Sequence, residues 1–275
     1  MAEQRLLGVD MGVSAVKLAL LEGGTVVRTA RVEAGRFQLS DLDELLQAGP
    51  EAIAVTGMGA SRFGETFRGL PVRQVPEFSA IGAGALAFSG LARALVASVG
   101  TGTAFVMAAR GEPARHLGGS GVGGGTLMGL VRHMGGEPDA ERVAECAARG
   151  DLRAVDLCIG DLTDRDIPGL PPYTTVSNFA RLGREASLDD LARGAVNLVC
   201  QTVGVMAAFA ARAECVQDVV LIGTPVTLPV FQELIHMVEW LHPVRFHVPP
   251  LAPFATAAGA AFSALSPERE PDIVQ

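Results

Sequence analysis

Short apolar runs broken by glycine fill the first half of this chain, and longer helical apolar stretches fill the second. Leu6 to Asp10 reads as a buried strand ending in an acid. Met11 to Ser14 makes a tight turn, Ala15 to Leu21 alternates as a second strand, and Gly23-Gly24 turns the chain into a third strand, Thr25 to Val32. Leu39, Leu42, Leu45 and Leu46 recur at helical spacing, with Ser40 near the N-cap. Ala52 to Thr56 is a fourth strand, closed by Gly57-Met58-Gly59, and Val72 to Val75 is a fifth. The spacing predicts a long apolar helix over Ser79 to Leu95 and a strand over Ala104 to Ala109. That strand lies between two glycine-rich loops, Gly100 to Thr103 and Gly118 to Gly125, and a helix is expected from Thr126. Further on, helices are predicted over Asp139 to Ala148, Ala186 to Arg212, Val230 to Trp240 and Ala255 to Leu265. Strands are predicted over Asp218 to Gly223 and Val244 to Val248, and the tail from Ser266 is expected to fray. No internal repeat is evident.

The two glycine-rich loops carry the chemical signal. Glycine lets backbone approach a bulky anion and offer it N–H donors, and a helix starting just after adds a favourable dipole. A nucleotide phosphate site is the leading reading, with a pair of hairpin turns as the structural alternative. Asp10-Met11-Gly12-Val13-Ser14-Ala15-Val16-Lys17 fits a pattern Asp-x-Gly-x-Ser/Thr-x-x-Lys. An acid at a strand end can hold Mg²⁺ through water while the turn beyond it contacts β- and γ-phosphates. A simple hairpin satisfies the same residues. Glu77 stands at a helix start, where a carboxylate suits the dipole or can serve as a base.

Composition narrows the classes. With 275 residues, 49% hydrophobic and 19% charged, the chain is expected to fold around a large core. A net charge of −8 argues against nucleic acid or an anionic membrane as partner. Any phosphate must then be held by local donors and a metal ion. Lys17 is the only lysine among 22 basic residues. Cys146, Cys158, Cys200 and Cys215 show no metal spacing and suit buried thiols in a reducing compartment. With no signal-peptide pattern, a cytoplasmic protein is expected. The apolar stretches Phe78 to Ala92 and Ala195 to Ala211 read as core helices, not membrane spans. Four carboxylates between Asp156 and Asp166 do not match a calcium loop and read as a solvated surface loop.

Three hairpin-joined strands, a helix and a further strand describe the opening half of an actin-like, ribonuclease-H-like lobe. Two glycine hairpins, one per lobe, are the nucleotide clamp of the acetate and sugar kinase, heat-shock ATPase and actin superfamily. Within it the chain resembles the type II pantothenate kinases. The resemblance rests on Gly8-Val9-Asp10-x-Gly12, Val55-Thr56-Gly57, Glu77-Phe78, Val99-Gly100-Thr101-Gly102-Thr103, Gly118 to Gly125, Asp156-Leu157-x-Ile159-Gly160-Asp161, Ser177-Asn178-Phe179 and Ile222-Gly223. It spans roughly residues 5 to 265.

The resemblance implies an α/β, two-lobed kinase fold with a nucleotide cleft between the lobes. Residues 1–78 would form the first lobe, completed by the C-terminal helix 255–265, and residues 79–254 the second. It implies ATP and Mg²⁺ as cofactors, pantothenate as substrate, and a homodimer packed through long second-lobe helices. Glu77 would take the proton of the acceptor hydroxyl and touch the substrate. Asp10 would hold Mg²⁺. Gly12, Ser14, Lys17, Gly100, Thr101, Gly102 and Thr103 would serve the phosphates, with Thr101 also near pantothenate. Gly121, Gly123, Gly124, Gly125 and Gly223 would flank the nucleotide. The family usually has arginine directly before the Val-Gly/Thr-Gly run. Here His116 holds that position and Arg115 falls one residue early, on the other face of a strand. Both are candidate substrate-binding residues. The alternatives are a same-fold kinase for another hydroxyl compound and a catalytically weak nucleotide or acyl-CoA sensor. An iron–sulfur activator of this fold would need clustered cysteines, which the chain lacks.

Overall fold

The computed structural model describes residues 4–136, 139–181 and 185–265, so the tail from Ser266 lies outside the described residues. The chain opens with β1 (Arg5–Met11), β2 (Ala15–Glu22) and β3 (Thr25–Glu33), joined by hairpins. A 3₁₀ turn over Leu39–Leu42 and the short helix α1 (Asp43–Leu46) follow, where the leucine spacing predicts one helix. Next come β4 (Ala52–Thr56), β5 (Thr66–Phe67) and β6 (Leu70–Gln74), completing a sheet of order β3-β2-β1-β4-β6-β5. Helix α2 spans Glu77–Ser89.

The second sheet is built from β7 (Arg93–Val99), β8 (Thr103–Ala109) and β9 (Arg115–Ser120). After α3 (Gly124–His133) and α4 (Ala140–Arg149) comes a small unit of β10 (Leu157–Cys158), α5 (Ile159–Leu162) and β11 (Thr175–Ser177). Then follow α6 (Leu188–Ala213), β12 (Asp218–Ile222), α7 (Pro229–Leu241), β13 (Arg245–His247) and α8 (Ala255–Leu265). The second sheet runs β13-β12-β7-β8-β9.

Both sheets share one plan. Three antiparallel strands are followed by two added in parallel on the side of the first: β4 beside β1 and β6 beside β4, β12 beside β7 and β13 beside β12. The duplication is in topology and leaves no repeat visible in the sequence, because each sheet packs different helices.

The expected helix over Ser79 to Leu95 is overturned at its end. Gly90 adopts the left-handed conformation at φ 74° and its N–H bonds to the Leu86 carbonyl, which stops α2. Leu95 already belongs to β7, the central strand of the second sheet, whose residues 94–97 are fully buried. A fully buried strand is apolar on both faces, so its pattern continues that of the helix before it.

Helices α2 and α8 cross between the sheets, α8 lying on β1 and β4 and α2 on β7 and β8. Glycine sets that crossing. A Cβ on Gly84 would stand 1.8 Å from the Ala255 carbonyl oxygen, and one on Gly259 1.9 Å from that of Ala80. On the other face of the second sheet, α6 is buried with α3, α4 and α7. By length and apolar composition α6 could cross a membrane, but 61% of its most apolar window is buried inside this protein.

The loop expected to be solvated, Asp156 to Asp166, is instead anchored at its first acid. Asp156 is fully buried. It accepts from Asn197 Nδ2 of α6 at 2.7 Å, from the Phe179 N–H at 2.9 Å and from Asn178 Nδ2 at 3.2 Å. Asp161 accepts from the Cys158 N–H at 2.9 Å and pairs with Arg181. These two segments, which supply much of the family resemblance, tie the β10–β11 unit to α6.

Candidate active site

One cleft of about 770 Å³ opens between the sheets, lined on one side by the β1–β2 turn and on the other by the β7–β8 turn. Alternation along β1 decides what enters it. Leu6 and Gly8 face α8, Leu7 and Val9 face the opposite core, and Asp10 therefore sits on the α8 and cleft side at the strand end. Strand pairing sets Lys17 beside Asp10, Arg31 beside Lys17, and Thr56 on Asp10's other flank. The cleft thus has a floor row of Arg31, Lys17 and Asp10, with Thr56 next in the row behind its lining. Glu77 reaches the same cleft from the first turn of α2.

Burial pushes the Asp10 carboxyl up to about 6; Lys17 opposes this and Glu77 adds to it. Burial lowers the Lys17 ammonium, Asp10 working against that and Arg31 with it. A buried acid that Lys17 only partly compensates, with a second acid facing it, suits a cation. Beside it the Thr56 hydroxyl is fully buried with no hydrogen-bond partner. Among the described residues no cluster of three or more His, Cys, Asp or Glu gathers to cage an ion. The site therefore fits an ion such as Mg²⁺, which takes one or two carboxylates and completes its shell with water and phosphate.

The two turns touch. Ser14 Oγ and Thr101 Oγ1 are 2.7 Å apart, joining the first lobe's turn to the second's. Gly12, Ser14, Lys17, Gly100, Thr101, Gly102, Thr103, Gly124, Gly125 and Gly223 all line the cleft with Asp10 and Glu77. Thr103 does so with its hydroxyl already donated to the Val122 carbonyl at 2.8 Å.

The second glycine stretch works differently from the sequence expectation. Gly118 to Ser120 belong to β9, and α3 starts at Gly124 rather than at Thr126. The first N–H groups of α3 do not face the cleft as free donors: Gly124 donates to the Gly100 carbonyl at 2.8 Å and Gly125 to that of Thr101 at 2.9 Å. Gly121 and Gly123 are not among the cleft-lining residues. A Cβ on Gly123 would stand 2.7 Å from the Gly102 carbonyl, so this glycine is there to let two backbones meet. The stretch braces the β7–β8 turn from behind.

Arg115 and His116 are the other two residues that the structure keeps out of the cleft lining. Arg115 pairs with Glu214 at 2.5 Å at the end of α6. One residue on, His116 lies on the opposite, α2-facing side of the sheet and stacks on Phe78, ring centroids 4.2 Å apart and planes 6° off parallel. The register of β9 slips by one at Leu117, with Gly118 at φ 147°, so the strand is bulged immediately after His116.

Arg31, Glu33, Arg132 and Thr256 are not marked by the sequence, and Thr56 is marked there only as part of the Val55-Thr56-Gly57 motif, without a site role. All but Thr56 line the cleft directly. Arg31 is legible only through its pairing with Lys17 across two strands. The Met128, Pro225 and Leu228 side of the cleft supplies apolar surface beyond the turns.

Two sheets of duplicated topology with a cleft floored by an acid and lined by paired turns define the actin-like nucleotide-binding fold. Comparison with solved structures agrees: the activator of the 2-hydroxyisocaproyl-CoA dehydratase from Clostridium difficile with bound ADPNP superposes with a TM-score of 0.67 at 15% identity, over 95% of this chain and 94% of that one. Among curated sequences, pantothenate kinase 1 of Oryza sativa subsp. japonica is 30% identical over 125 residues, 43% of this chain and 19% of that protein. The type II pantothenate kinase of Staphylococcus aureus (strain USA300) is 26% identical over 227 residues, 79% of this chain and 84% of that one. The Fumble family model matches residues 93–228. The chain is thus similar to the Fumble, or type II pantothenate kinase, family over that span and to its Staphylococcus aureus member over most of its length, and kinase chemistry is the class that this likeness supports.

Proposed function

We propose that this protein transfers the γ-phosphate of ATP to the terminal hydroxyl of pantothenate. The observation that carries the reading is the placement of Asp10 and Glu77 in one cleft with the two turns, close enough that Glu77 raises the Asp10 pKa. Phosphoryl transfer asks little covalent chemistry of a protein; it asks for positioning and charge. Glu77 accepts the hydroxyl proton as the acceptor oxygen attacks. Asp10 holds Mg²⁺, which when bound neutralises charge on the phosphates. Lys17, with Arg31 behind it, adds positive charge to a cleft in an acidic protein. The Ser14 and Thr101 hydroxyls exchange their mutual bond for bonds to phosphate oxygens. Met128, Pro225 and Leu228 offer the apolar surface against which a base would pack.

The same reading makes the protein a cytoplasmic homodimer without nucleic-acid or membrane partners. What supports the dimer is a surface on α6 and α7 with three large exposed side chains, Met206, Phe209 and Trp240. The direct test is product analysis by mass spectrometry with ATP and Mg²⁺ and a panel of acceptors. Pantothenate is expected to gain one phosphoryl group, and glucose and N-acetylglucosamine none. Phosphorylation of a sugar with pantothenate untouched would replace this reading with that of a same-fold sugar kinase.

A further inference from the structure

The first turn of α2 presents Glu77, yet little in its own sequence holds it still. Its N-cap is Pro76, which makes no side-chain capping bond, so the turn lacks the usual tether for its free N–H groups. Besides the α8 crossing at Ala80, it is braced by the edge strand β9 and the residue before it. Ala114 sits against Gly82, where a Cβ would stand 3.0 Å from the Ala114 methyl. Two residues further along, His116 stacks on Phe78. Four residues of helix advance about 6 Å and two residues of strand about 6.7 Å, so the two contacts are successive rungs between α2 and β9. The bulge at Leu117 follows at once, ending the register that aims His116 at the helix.

We propose that His116 is a positioning residue: through the Phe78 ring it fixes the first turn of α2 and so the place of Glu77 in the cleft. The proposal rests on Glu77 being the proton acceptor, but its structural half does not. Imidazole and phenyl rings lying parallel within van der Waals reach gain dispersion and bury the Phe78 face. Either ring type at position 116 preserves that contact, whereas a methyl group does not. Phe78 adjoins Glu77, so freeing Phe78 releases the carboxylate it positions. A displacement of about 1 Å at a reacting group costs on the order of a hundredfold in rate.

The test uses full-length His116→Ala, His116→Phe and Phe78→Ala, read by hydrogen–deuterium exchange over residues 75–83 and by steady-state kinetics with ATP and pantothenate. His116→Ala and Phe78→Ala are expected to speed exchange in this segment about tenfold without change in α6. They should lower kcat about ten- to a hundredfold while leaving the KM for ATP within about twofold. His116→Phe should restore both exchange and kcat. Unchanged exchange in His116→Ala would overturn the proposal. So would a His116→Phe variant as slow as His116→Ala with a raised KM for pantothenate, which would mean that the imidazole touches substrate. Should the unmodified protein leave pantothenate unphosphorylated, the substrate reading fails while the exchange arm still decides whether His116 braces α2.

Discussion

Asp10 shows how a single side chain is set by its neighbours. Its pKa of about 6 means that the native protein resists ionising it. With the folded value raised above the usual 3.8, stability present below pH 3.8 is lost as pH rises through about 6. Asp10→Asn removes that penalty. At pH 7 the variant is expected to be about 3 kcal/mol more stable than the unmodified protein in denaturant titrations without Mg²⁺. The gain should shrink as pH falls from 6 and vanish below 4, while phosphoryl transfer is lost throughout. Equal stabilities at pH 7 would show that Lys17 fully compensates the carboxylate. Residues in this row were unevenly legible. Asp10, Lys17 and the turn glycines announce themselves by spacing along one segment. Arg31 and Thr56 join only through pairing with β2 and β1, which no local pattern encodes. Asp156 misleads for the converse reason: an acid among acids reads as solvated until Asn197, from the distant α6, is seen donating to it.

At the level of elements, glycine does two opposite jobs in helices, and the same substitution separates them. Gly259 of α8 has the Ala80 carbonyl where its side chain would be, so Gly259→Ala must push α2 and α8 apart. Overpacking of this kind costs about 3 kcal/mol, a fall in Tm of about 6 °C for a chain this long. Gly129 of α3 has nothing within 4 Å of the same point. Gly129→Ala should therefore stabilise by up to about 1 kcal/mol through helix propensity and a less flexible unfolded chain. Thermal melts of the two variants check both signs, and a tolerated Gly259→Ala would contradict the close crossing. Most elements were legible from periodicity: β4 and α8 fall on the predicted residues. The failures have physical causes. Gly90 was a stop signal read through because buried β7 continues the apolar pattern, and the second glycine stretch looked like a ligand loop because closely packed backbones need glycine as much as an anion does.

For the whole molecule, the fold brings together two turns some 87 residues apart in sequence, whose hydroxyls meet at Ser14 and Thr101. The lobe plan could be inferred from the order of strands, and the duplication could not, since like topology is built there from unlike sequence. On the proposed reading the γ-phosphate would sit between the turns and the acceptor hydroxyl beside Glu77, so that Glu77 would serve transfer and not nucleotide capture. The decisive measurement is single-turnover transfer of labelled γ-phosphate to pantothenate by the unmodified protein and Glu77→Gln, with ATP affinity determined on the same samples. Transfer is expected to fall by at least about a hundredfold with ATP affinity unchanged. Transfer by Glu77→Gln at the unmodified rate would contradict the account, as would loss of ATP binding in step with loss of transfer.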